Sequence, residues 1–262
     1  MKKILIVDAF GLIFRAYYAL IRNPLTTSKG QPTSAIFGFW KMLFKAFKEI
    51  NPQETIIALD SPHKSFRKEM YEDYKANRQE APEDLKEQIV AIVEMIKNCG
   101  VPFLEQPGLE ADDIISYLSQ TLSKEENQIY ILSSDKDLAQ LVNSKVCMAL
   151  PQKGVQELSF LDTEKVFEKF KVYPHQIADY LALIGDTSDN VPGVLGVGPK
   201  TAEKLLSQWQ SLDNIYQNLP HITPASLQEK LKNNQEKAFL SKKLVELNQE
   251  YPQLSFSAKQ GV

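Results

Sequence analysis

Four short runs of apolar and β-branched residues recur along the first part of the chain, separated by longer segments in which apolar residues repeat at helical spacing. The runs are Lys3–Asp8, Thr55–Asp60, Gln128–Ser133 and Lys145–Leu150. The first two are continuously apolar, which is typical of strands buried on both faces. This alternation predicts an α/β fold with a mainly parallel central sheet and helices on both faces.

The helical segments between the strands carry recognisable boundary signals. Thr33–Ile50 is predicted to turn one apolar stripe to the core, and Pro82–Asn98 opens with proline followed by Glu-Asp, which favours a helix start. Ala111–Leu122 and Leu138–Val142 are further predicted helices. The predicted core stripe of the first helix consists of Ile36, Phe37, Trp40, Phe44 and Phe47.

The strand pattern stops after about residue 160, and the rest of the chain is predicted to be helical. The predicted helices are Asp162–Phe170, Pro174–Ile184, Thr201–Trp209, Ala225–Leu231 and Gln235–Leu247. Between the second and the third, proline and glycine cluster in Asn190–Pro199. We therefore expect an α/β core over residues 1–160 and a helical region over residues 161–262 that packs on it.

Composition narrows the class of protein without indicating its chemistry. Charged residues make up 24% and hydrophobic residues 43% of the 262 residues, as in an ordinary globular protein. No uncharged apolar stretch reaches the roughly 18 residues of a membrane span, so no membrane contact is expected. Two cysteines and three widely separated histidines give neither a disulfide framework nor a zinc site, which favours the cytoplasm.

Acidic residues stand at the ends of the predicted strands. Asp8 and Asp60 close the first two strands, and Asp135 and Asp137 come just after the third. The carboxyl ends of parallel strands share one edge of the sheet, where the ligands of open α/β folds bind. Five further acids lie at the ends of predicted helices, namely Glu110, Asp112, Asp113, Asp186 and Asp189. We therefore expect these nine carboxylates to meet at one edge of the sheet.

Each of these acids taken singly is explained by a helix cap or a turn. Taken together they are not, because like charges about 4 Å apart repel by about 4 kcal/mol at an effective dielectric constant of about 20. Oxygen ligands without histidine or cysteine favour Mg²⁺ or Mn²⁺. So many carboxylates exceed the needs of one ion, and the pattern predicts two divalent ions, as in two-metal phosphodiester hydrolysis.

The rest of the chain is basic once these acids are set aside. The sequence has 30 basic and 33 acidic residues, so without the nine acids the balance is 30 against 24. A basic body around an acidic pit is the charge distribution expected of an enzyme that binds phosphates and cleaves at metal ions.

One basic segment, His63–Arg78, leaves directly from the second predicted strand. The side chains predicted to share one helical face are Tyr71, Tyr74, Lys75 and Arg78. An exposed helix whose tyrosines pack on the core is the simpler interpretation, but cations beside aromatic rings suit single-stranded nucleic acid, and Tyr74 is the ring expected to contact it. We expect Lys75 and Arg78 to neutralise a scissile phosphate with help from Arg15. Phe14 either stacks on a base or packs in the core.

The segment Gly193–Ala202 has the glycine spacing of a helix–hairpin–helix turn. Glycines let backbone amides approach a DNA phosphate, and a helix that starts near Pro199 adds its positive end. The expected DNA contacts are Gly193, Gly196, Gly198, Lys200 and Thr201. A nucleotide-binding loop is the alternative, but its Rossmann form needs a preceding strand and a third spaced glycine. The motif, over about residues 185–209, is expected to hold duplex DNA without reading its sequence.

Seven motifs, taken in order, resemble those of the 5′ nuclease family, which includes flap endonucleases and the N-terminal 5′→3′ exonuclease domain of bacterial DNA polymerase I. They are Val7–Arg15, Ala58–Asp60, Tyr74–Arg78, Gly108–Asp113, Ser133–Asp137, Gly185–Gly193 and Gly196–Ala202, and they span about residues 1–205. The resemblance implies a PIN-like core, a helical arch over about residues 61–81, and 5′→3′ and flap-junction hydrolysis of DNA phosphodiesters.

The resemblance also implies roles for the acids. The first metal site would be formed by Asp8, Asp60, Glu110 and Asp112. The second would be formed by Asp113, Asp135, Asp137, Asp186 and Asp189. Mg²⁺ is the implied cofactor, with Mn²⁺ able to replace it, and K⁺ is implied at the helix–hairpin–helix turn. The expected products are a 5′-phosphate and a 3′-hydroxyl.

The resemblance further implies partners and a place of action. DNA with 5′ single-strand/duplex junctions is the expected substrate, together with RNA primers in RNA–DNA hybrids, in replication and repair. We expect a monomer in the bacterial cytoplasm, active at the nucleoid. The polymerase module of polymerase I is absent from the sequence, so both a free-standing nuclease and a fragment of a longer protein stay open.

Two other classes of protein share part of this pattern. A PIN-like ribonuclease has an acidic metal pit on an α/β sheet but lacks the arch and the helix–hairpin–helix turn. A comparison of flap DNA with single-stranded RNA as substrates separates the two. A non-catalytic binder of DNA junctions would keep the turn, but the complete set of carboxylates argues against it.

Overall fold

A six-stranded sheet organises the N-terminal part of the computed structural model, which describes residues 1–247 together with Tyr251 and Leu254. The strands are β1 (Lys2–Asp8), β2 (Glu54–Ala58), β3 (Phe103–Leu104), β4 (Asn127–Leu132), β5 (Val146–Gln152) and β6 (Glu157–Leu161). Their order across the sheet is β3-β2-β1-β4-β5-β6. Neighbouring strands are parallel except for the antiparallel pair β5 and β6, which confirms the predicted fold class.

Helices cover both faces of this sheet and make up the C-terminal region. The helices of the core are α1 (Ala9–Leu20), α2 (Ser34–Ile50), α3 (Phe66–Met70), α4 (Glu83–Asn98) and α5 (Ala111–Leu122). The later helices are α6 (Thr163–Phe170), α7 (Ile177–Ile184), α8 (Pro199–Trp209), α9 (Leu212–Gln217), α10 (Ala225–Asn233) and α11 (Gln235–Val245). Short 3₁₀ turns occur at Asp137–Leu141, Pro174–Gln176 and Leu219–His221.

Strand β1 lies in the middle of the sheet and contributes to both hydrophobic cores. Because successive side chains of a strand point to opposite faces, Ile4 and Ile6 pack with α5 and the C-terminal helices, whereas Leu5 and Val7 pack with α1, α2 and α4. Its neighbours β2 and β4 both run parallel to it. The carboxyl ends of these three strands therefore meet at one edge, with Asp8 the last residue of β1.

The face of α2 that enters the core differs from the predicted stripe. Phe37 and Phe44 are 49% and 62% exposed, and Ile36, Trp40 and Phe47 are only partly buried. The buried face consists of Ser34, Ala35, Gly38, Phe39, Met42, Leu43, Ala46 and Ile50. At Gly38 a β-carbon would lie 2.6 Å from the β-carbon of Ala16, so close packing on α1 selects this face. The prediction was wrong because α2 is apolar on more than one side, and periodicity alone cannot choose between the sides.

The basic segment is not one continuous helix. Only α3 is helical there, and residues 71–78 are dominated by turns, in which Lys75 has a left-handed φ of 55°. The prediction that Tyr71, Tyr74, Lys75 and Arg78 share a helical face is therefore wrong. The physical reason is that the backbone amide of Lys75 donates to the carbonyl of Asp189, 2.9 Å away, instead of continuing a helix.

Apart from α1, whose bounds were not predicted, the elements that the sequence patterns missed are short. β3, β6 and α9 are each at most 6 residues long, too short to show a clear period. The helices predicted after residue 160 are found with ends shifted by a few residues or opened by a 3₁₀ turn. Across the described part of the chain, no helix combines the length and the apolar character needed to cross a membrane.

Candidate metal centre and nucleic-acid interface

A cavity of about 1150 Å³ opens at the carboxyl edge of the sheet. Acids from five places in the sequence contribute to its wall: Asp8, Asp60, Glu110, Asp112 and Asp135. The bases that line it are Arg15, Lys64, Lys68, Lys75 and Arg78. The parallel topology thus brings together acids and bases that are far apart in the sequence.

Asp8 ends β1 and caps α1 at the same time. Its Oδ1 accepts from the amide of Gly11 at 2.9 Å, and its Oδ2 accepts from the hydroxyl of Ser133 at 2.6 Å. A β-carbon on Gly11 would lie 2.0 Å from Oδ2, so glycine is required at that position. Burial raises the pKa of the Asp8 carboxyl to about 7, and repulsion from Asp60 and Asp135 adds to the shift.

Asp60 and Glu110 are fixed by the start of α5. Asp60 accepts from the backbone amide of Ala111 at 2.9 Å. Glu110 accepts from the hydroxyl of Ser65 at 3.0 Å and from Lys75 Nζ at 2.8 Å. Burial raises the pKa of Asp60. Burial acts in the same direction on Glu110, but the nearby cations, Lys75 foremost, outweigh it and hold the pKa of Glu110 below its ordinary value.

Asp112, Asp135 and Asp137 are carboxyls that resist ionisation. Burial raises the pKa of all three, and it does so most strongly for Asp112 and Asp137, each of which is also repelled by Asp135. Asp137 Oδ1 is buried without a hydrogen-bond partner. Carboxylate oxygens that lack a partner and repel each other are the donor set that a hard divalent cation would stabilise.

Asp186 and Asp189 lie in the loop after α7. Asp186 Oδ1 accepts from both the amide and the hydroxyl of Ser188, at 2.8 and 2.6 Å, and its Oδ2 pairs with Lys136 Nζ at 3.0 Å. Although burial opposes it, these contacts lower the pKa of Asp186. Asp189 forms an ion pair with Arg78 and lies 3.7 Å from Lys75 Nζ.

Three polar contacts fasten the basic segment to this loop, and we call them the staple. The amide of Lys75 donates to the Asp189 carbonyl at 2.9 Å, Asn77 Nδ2 donates to the Thr187 carbonyl at 2.6 Å, and Asn190 Nδ2 donates to the Asp73 carbonyl at 2.7 Å. The staple places the Lys75 ammonium between Glu110 on one side and Asp189 on the other.

The acids other than Asp113 are divided into the two groups that the resemblance implies, and side-chain cations partly neutralise both. The first carboxylate group is Asp8, Asp60, Glu110 and Asp112, and the second is Asp135, Asp137, Asp186 and Asp189. Within residues 1–247 and the two described tail residues, no three acidic, histidine or cysteine side chains already converge on one point as metal ligands. Lys75, Arg78 and Lys136 instead pair with members of the two groups.

Asp113 does not belong with the predicted metal ligands. It is fully buried, and both of its oxygens accept from Arg67, at 2.7 Å each. The same oxygens also accept from the Tyr251 hydroxyl at 2.6 Å and from the amide of Glu110 at 3.0 Å. With its oxygens engaged in this way, Asp113 has a structural role, and its assignment to a metal site is corrected here.

Tyr74 is likewise not a surface ring. It is 4% exposed and belongs to a hydrophobic core, and its hydroxyl donates to Glu110 Oε2 at 3.1 Å. It therefore cannot offer its ring to a base, and the predicted DNA contact is wrong. Phe14 and Arg15 do line the cavity, and Arg15 Nε donates to the Gly154 carbonyl at 3.1 Å.

The glycine-rich turn connects α7 to α8, and one of its glycines is buried in the core instead of exposed to solvent. Gly193 is buried, its amide donates to the Ser241 hydroxyl at 2.9 Å, and a β-carbon there would lie 2.4 Å from the backbone of Gly185. Gly193 is therefore not a DNA contact, contrary to the prediction. Gly196, Gly198 and Lys200 are exposed, whereas Thr201 is partly exposed in the first turn of α8.

Comparison with known families decides the class of protein. Residues 3–171 match the family model described as 5′-3′ exonuclease, N-terminal resolvase-like domain, and residues 172–260 match the model described as 5′-3′ exonuclease, C-terminal SAM fold. The chain belongs to the 5′-3′ exonuclease family. The predicted family and enzyme class are confirmed, which favours a nuclease over a non-catalytic DNA binder.

Characterised relatives agree with this assignment. The exonuclease is 45% identical to a 5′-3′ exonuclease of Aquifex aeolicus, over 83% of this chain and 73% of the relative. It is 40% identical to a thermostable DNA polymerase I of Thermus thermophilus, over 95% of this chain and 29% of the polymerase. The chain therefore spans less than a third of the polymerase relatives.

Solved structures show the same fold. The T5 5′-exonuclease with bound zinc superposes with a TM-score of 0.77 at 23% identity, covering 94% of this chain and 90% of that one. The catalytic core of Rad2 in complex with DNA gives a TM-score of 0.59 at 16% identity, covering 97% and 82%. At these identities the likeness concerns the fold of the exonuclease.

Two charged residues at the site escaped the sequence analysis. Lys136, which pairs with Asp186, lies between Asp135 and Asp137, and this Asp-Lys-Asp spacing was a usable signal for an internal counter-ion. Arg67 is 1% exposed, yet in the sequence it is one of several cations in residues 63–78. Nothing in the pattern distinguishes it from its exposed neighbours.

Proposed function

We propose that this exonuclease hydrolyses DNA phosphodiesters 5′→3′ and at 5′-flap junctions, with two divalent cations held by its two carboxylate groups. The observation that carries the proposal is the edge cavity, in which buried carboxyls of raised pKa face Arg15, Lys75 and Arg78. An anionic substrate is attracted by the bases, and the acids provide hard ligands for cations.

The residues fit the proposed cations. The first carboxylate group would hold one ion, and the second would hold the other. The unpartnered oxygen of Asp137 and the mutual repulsion of Asp8, Asp112 and Asp135 support this. We propose Mg²⁺, with Mn²⁺ as a replacement, because all the donors are oxygens. When bound, such ions acidify water and stabilise the negative charge of the phosphate.

The bases of the chain would bind and orient the scissile phosphate. Glu110 and Asp189 raise the pKa of Lys75 against the opposing effect of burial, so its ammonium stays charged. Arg78 keeps its charge in the same way beside Asp189. Arg15 stands on another part of the cavity wall, in the middle of α1. Together these groups would stabilise charge that develops on the phosphate in the transition state.

The helix–hairpin–helix turn would hold duplex DNA on the far side of the junction. Gly196, Gly198, Lys200 and Thr201 supply amides, a cation and a hydroxyl at the start of α8. We also propose a K⁺ held by carbonyls of this turn, which would have to share the Gly196 carbonyl with Lys230 Nζ, 3.4 Å away. These contacts involve the backbone of DNA, so they position the duplex without selecting a sequence.

The proposed setting is bacterial replication and repair. The bacterial exonuclease and DNA polymerase I relatives support a role in DNA processing. Within that role we propose removal of flaps and of RNA primers in RNA–DNA hybrids, by a monomer in the cytoplasm and at the nucleoid. The 5′ strand would pass beneath the segment over residues 61–81, which borders the cavity through His63, Lys64 and Lys68. The core and helical regions proposed from the sequence, 1–160 and 161–262, would hold the cleaved strand and the duplex respectively.

A flap substrate labelled at its 5′ end tests the proposal. With Mg²⁺ we expect either a labelled fragment of flap length, released by one cut near the junction, or labelled mononucleotide, the first indicating endonuclease and the second exonuclease activity. EDTA should abolish both. A parallel reaction with single-stranded RNA serves as the control. Preferred cleavage of RNA, or cleavage that persists in EDTA, would contradict the proposal.

A further inference from the structure

A buried hydrogen-bond network lies behind Glu110, on the side away from the cavity. Its centre is the bidentate pair between Arg67 and Asp113, whose side chains are 2% and 0% exposed. A buried ion pair is tolerated only when its remaining donors and acceptors are also satisfied. Here the partners that satisfy them belong to Glu110 on one side and to the segment after α11 on the other.

The contacts toward Glu110 fix the backbone and the side chain of that residue. Asp113 Oδ2 accepts from the Glu110 amide at 3.0 Å, so Glu110 and Asp113 cap α5 reciprocally. The hydroxyl of Ser65, which precedes α3, donates to Glu110 Oε1, and Arg67 Nη1 lies 3.8 Å from Glu110 Oε2. The carboxylate of Glu110 is therefore aimed into the cavity by groups that are anchored to Arg67 and Asp113.

The contacts on the other side come from the segment after α11. Arg67 Nε donates to the Leu244 carbonyl at 2.6 Å, and the hydroxyl of Ser116 donates to the Leu247 carbonyl. Gln140 makes two further contacts with this segment: its Nε2 donates to the Val245 carbonyl and its Oε1 accepts from the amide of Leu247, both at 3.0 Å. The segment Leu244–Leu247 is thus bound to α5 and to the 3₁₀ turn Asp137–Leu141, both of which carry acids of the site.

Tyr251 closes the network. It is 7% exposed and lies in the same hydrophobic core as α5, and its hydroxyl donates to Asp113 Oδ1 at 2.6 Å. A short hydrogen bond to a buried carboxylate is of the strong, charge-assisted kind. The hydroxyl thereby shares with Arg67 the task of fixing the rotamer of Asp113, and Asp113 fixes the start of α5.

We infer that Arg67, Asp113 and Tyr251 are positioning residues, through which the C-terminal segment sets the orientation of Glu110 toward a divalent cation. This inference rests on the proposed function, because it takes Glu110 as a ligand of the metal. None of the three residues touches the substrate or the cation. They act through the cap of α5, and their loss changes the affinity of the site for metal before it changes the fold.

The test compares two tyrosine variants that each lose one hydroxyl. Tyr251→Phe removes the donor to Asp113, and Tyr216→Phe, the matched control, removes a 3.1 Å hydrogen bond to the Leu231 carbonyl in the C-terminal region. Mn²⁺ alone is titrated into each metal-free protein, and free Mn²⁺ is followed by electron paramagnetic resonance. We expect Tyr251→Phe to weaken binding at one site by roughly tenfold, the lower end for loss of an outer-shell partner, and the control to bind like the wild type.

A second measurement separates positioning from loss of fold. The Mn²⁺ concentration that gives half-maximal cleavage should rise in Tyr251→Phe, whereas the KM for DNA stays unchanged and excess Mn²⁺ restores the rate. Arg67→Lys, which keeps the charge but loses the bidentate geometry, should show a larger shift in the same direction. Wild-type Mn²⁺ affinity in Tyr251→Phe would overturn the inference, even if that variant unfolded at lower urea.

Glu110→Gln distinguishes the failure of this inference from that of the proposed function. If Glu110→Gln weakens Mn²⁺ binding and Tyr251→Phe does not, the positioning role alone is wrong. If Glu110→Gln binds Mn²⁺ like the wild type, the assignment of Glu110 to the metal site fails, and the inference falls with it. Weakened binding in both variants, with the control unchanged, supports both.

Discussion

The two carboxylate groups at the sheet edge are built on different scaffolds. The first group stands at the ends of regular elements, with Asp8 closing β1 and Glu110 and Asp112 opening α5. The second group stands on irregular backbone, with Asp137 opening a 3₁₀ turn and Asp186 and Asp189 in the loop after α7. The first is therefore fixed by the end of β1 and the start of α5, and the second depends on side-chain cations and on the staple to hold its shape.

Asp8 and Asp186, one acid from each group, differ in the sign of their pKa shifts. The groups as wholes do not, because the pKa of Glu110 in the first group is lowered and the pKa values of Asp135 and Asp137 in the second are raised. The pKa of Asp8 is raised, because burial and neighbouring acids outweigh its hydrogen bonds. The pKa of Asp186 is lowered, because Ser188 and Lys136 outweigh burial. A carboxyl that resists ionisation is stabilised by an external cation, whereas one with an internal counter-ion is already neutralised. Asp8 therefore gains more from a bound cation than Asp186 does.

The largest expected effect comes from Asp135, which belongs to the second group but repels members of the first. Asp135→Asn should lower the cleavage rate by about 10³-fold or more while leaving DNA affinity intact, because a ligand lost from a shared site removes transition-state stabilisation without removing phosphate contacts. Single-turnover cleavage and gel-shift affinity measure the two parts. The exposed pair of Lys242 and Asp213 offers a control, Asp213→Asn. Fast cleavage by Asp135→Asn would refute its assignment as a ligand.

Opposite pH dependences of stability should distinguish Asp8 from Asp186 in metal-free protein. The raised pKa of Asp8 means that the folded state holds its proton from the ordinary value of 3.8 up to about 7, so this carboxyl lowers the free energy of unfolding as pH rises through that window. Asp8→Asn should therefore be more stable than the wild type near neutral pH, by up to a few kcal/mol at about 1.4 kcal/mol per pKa unit.

Asp186 should show the reverse sign. Its lowered pKa makes the ionised carboxyl a source of stability above its ordinary pKa of 3.8, and this stability is lost as pH falls through the lower folded-state value. Asp186→Asn should therefore be less stable than the wild type at neutral pH. Urea unfolding in EDTA across the acid-to-neutral range measures both variants. Shifts of the same sign in both would contradict the opposite environments assigned to Asp8 and Asp186.

A smaller effect is expected when the scaffold of the first group alone is disturbed. Gly11→Ala would ordinarily stabilise a helix by about 1 kcal/mol, but here the new β-carbon would lie 2.0 Å from Asp8 Oδ2. We expect the carboxylate to shift and cleavage to fall by about 10²-fold, as for a mispositioned catalytic group. Circular dichroism should show an intact fold. Undiminished cleavage would show that Asp8 tolerates displacement.

The smallest effect is expected from loosening the second group through the staple. Asn77→Ala removes the exposed hydrogen bond to the Thr187 carbonyl, which is worth about 1 kcal/mol. We expect the cleavage rate to fall several-fold with little change in stability. Asn98→Ala is the matched control, because Asn98 makes a similar bond to the Glu94 carbonyl in α4. Equal cleavage rates in the two variants would show that the staple does not support the second carboxylate group.

Topology is the reason that the sequence was informative about the site. A continuous apolar strand is readily identified in a sequence. Because β2 and β4 both pair in parallel with β1, the acids at or just after the ends of these strands must lie at one edge of the sheet. The start of α5 was predicted at the correct residue for a related reason, since acids in a first helical turn follow a proline–glycine turn. These strands and the start of α5 were therefore found as predicted.

The wrong predictions concern residues whose structure depends on contacts with distant parts of the sequence. The spacing of Glu110 and Asp113 correctly places both on one side of α5, but it does not show that Arg67 lies behind them and engages Asp113. In the same way, helical spacing in the basic segment does not show that Lys75 bonds to Asp189 and leaves the helix. A partner more than 40 residues away leaves no periodic trace in either local sequence.

The staple has a consequence for protein engineering. Its three bonds join backbone or amide groups of Asp73, Lys75 and Asn77 to those of Thr187, Asp189 and Asn190. In a chimera, residues 63–78 could be taken from a homologue while residues 186–190 of this chain are kept. The two segments would then come from different proteins, and the bonds of the staple between them would be lost or misaligned. Exchange of both segments as a matched cassette should preserve their register and yield a working hybrid.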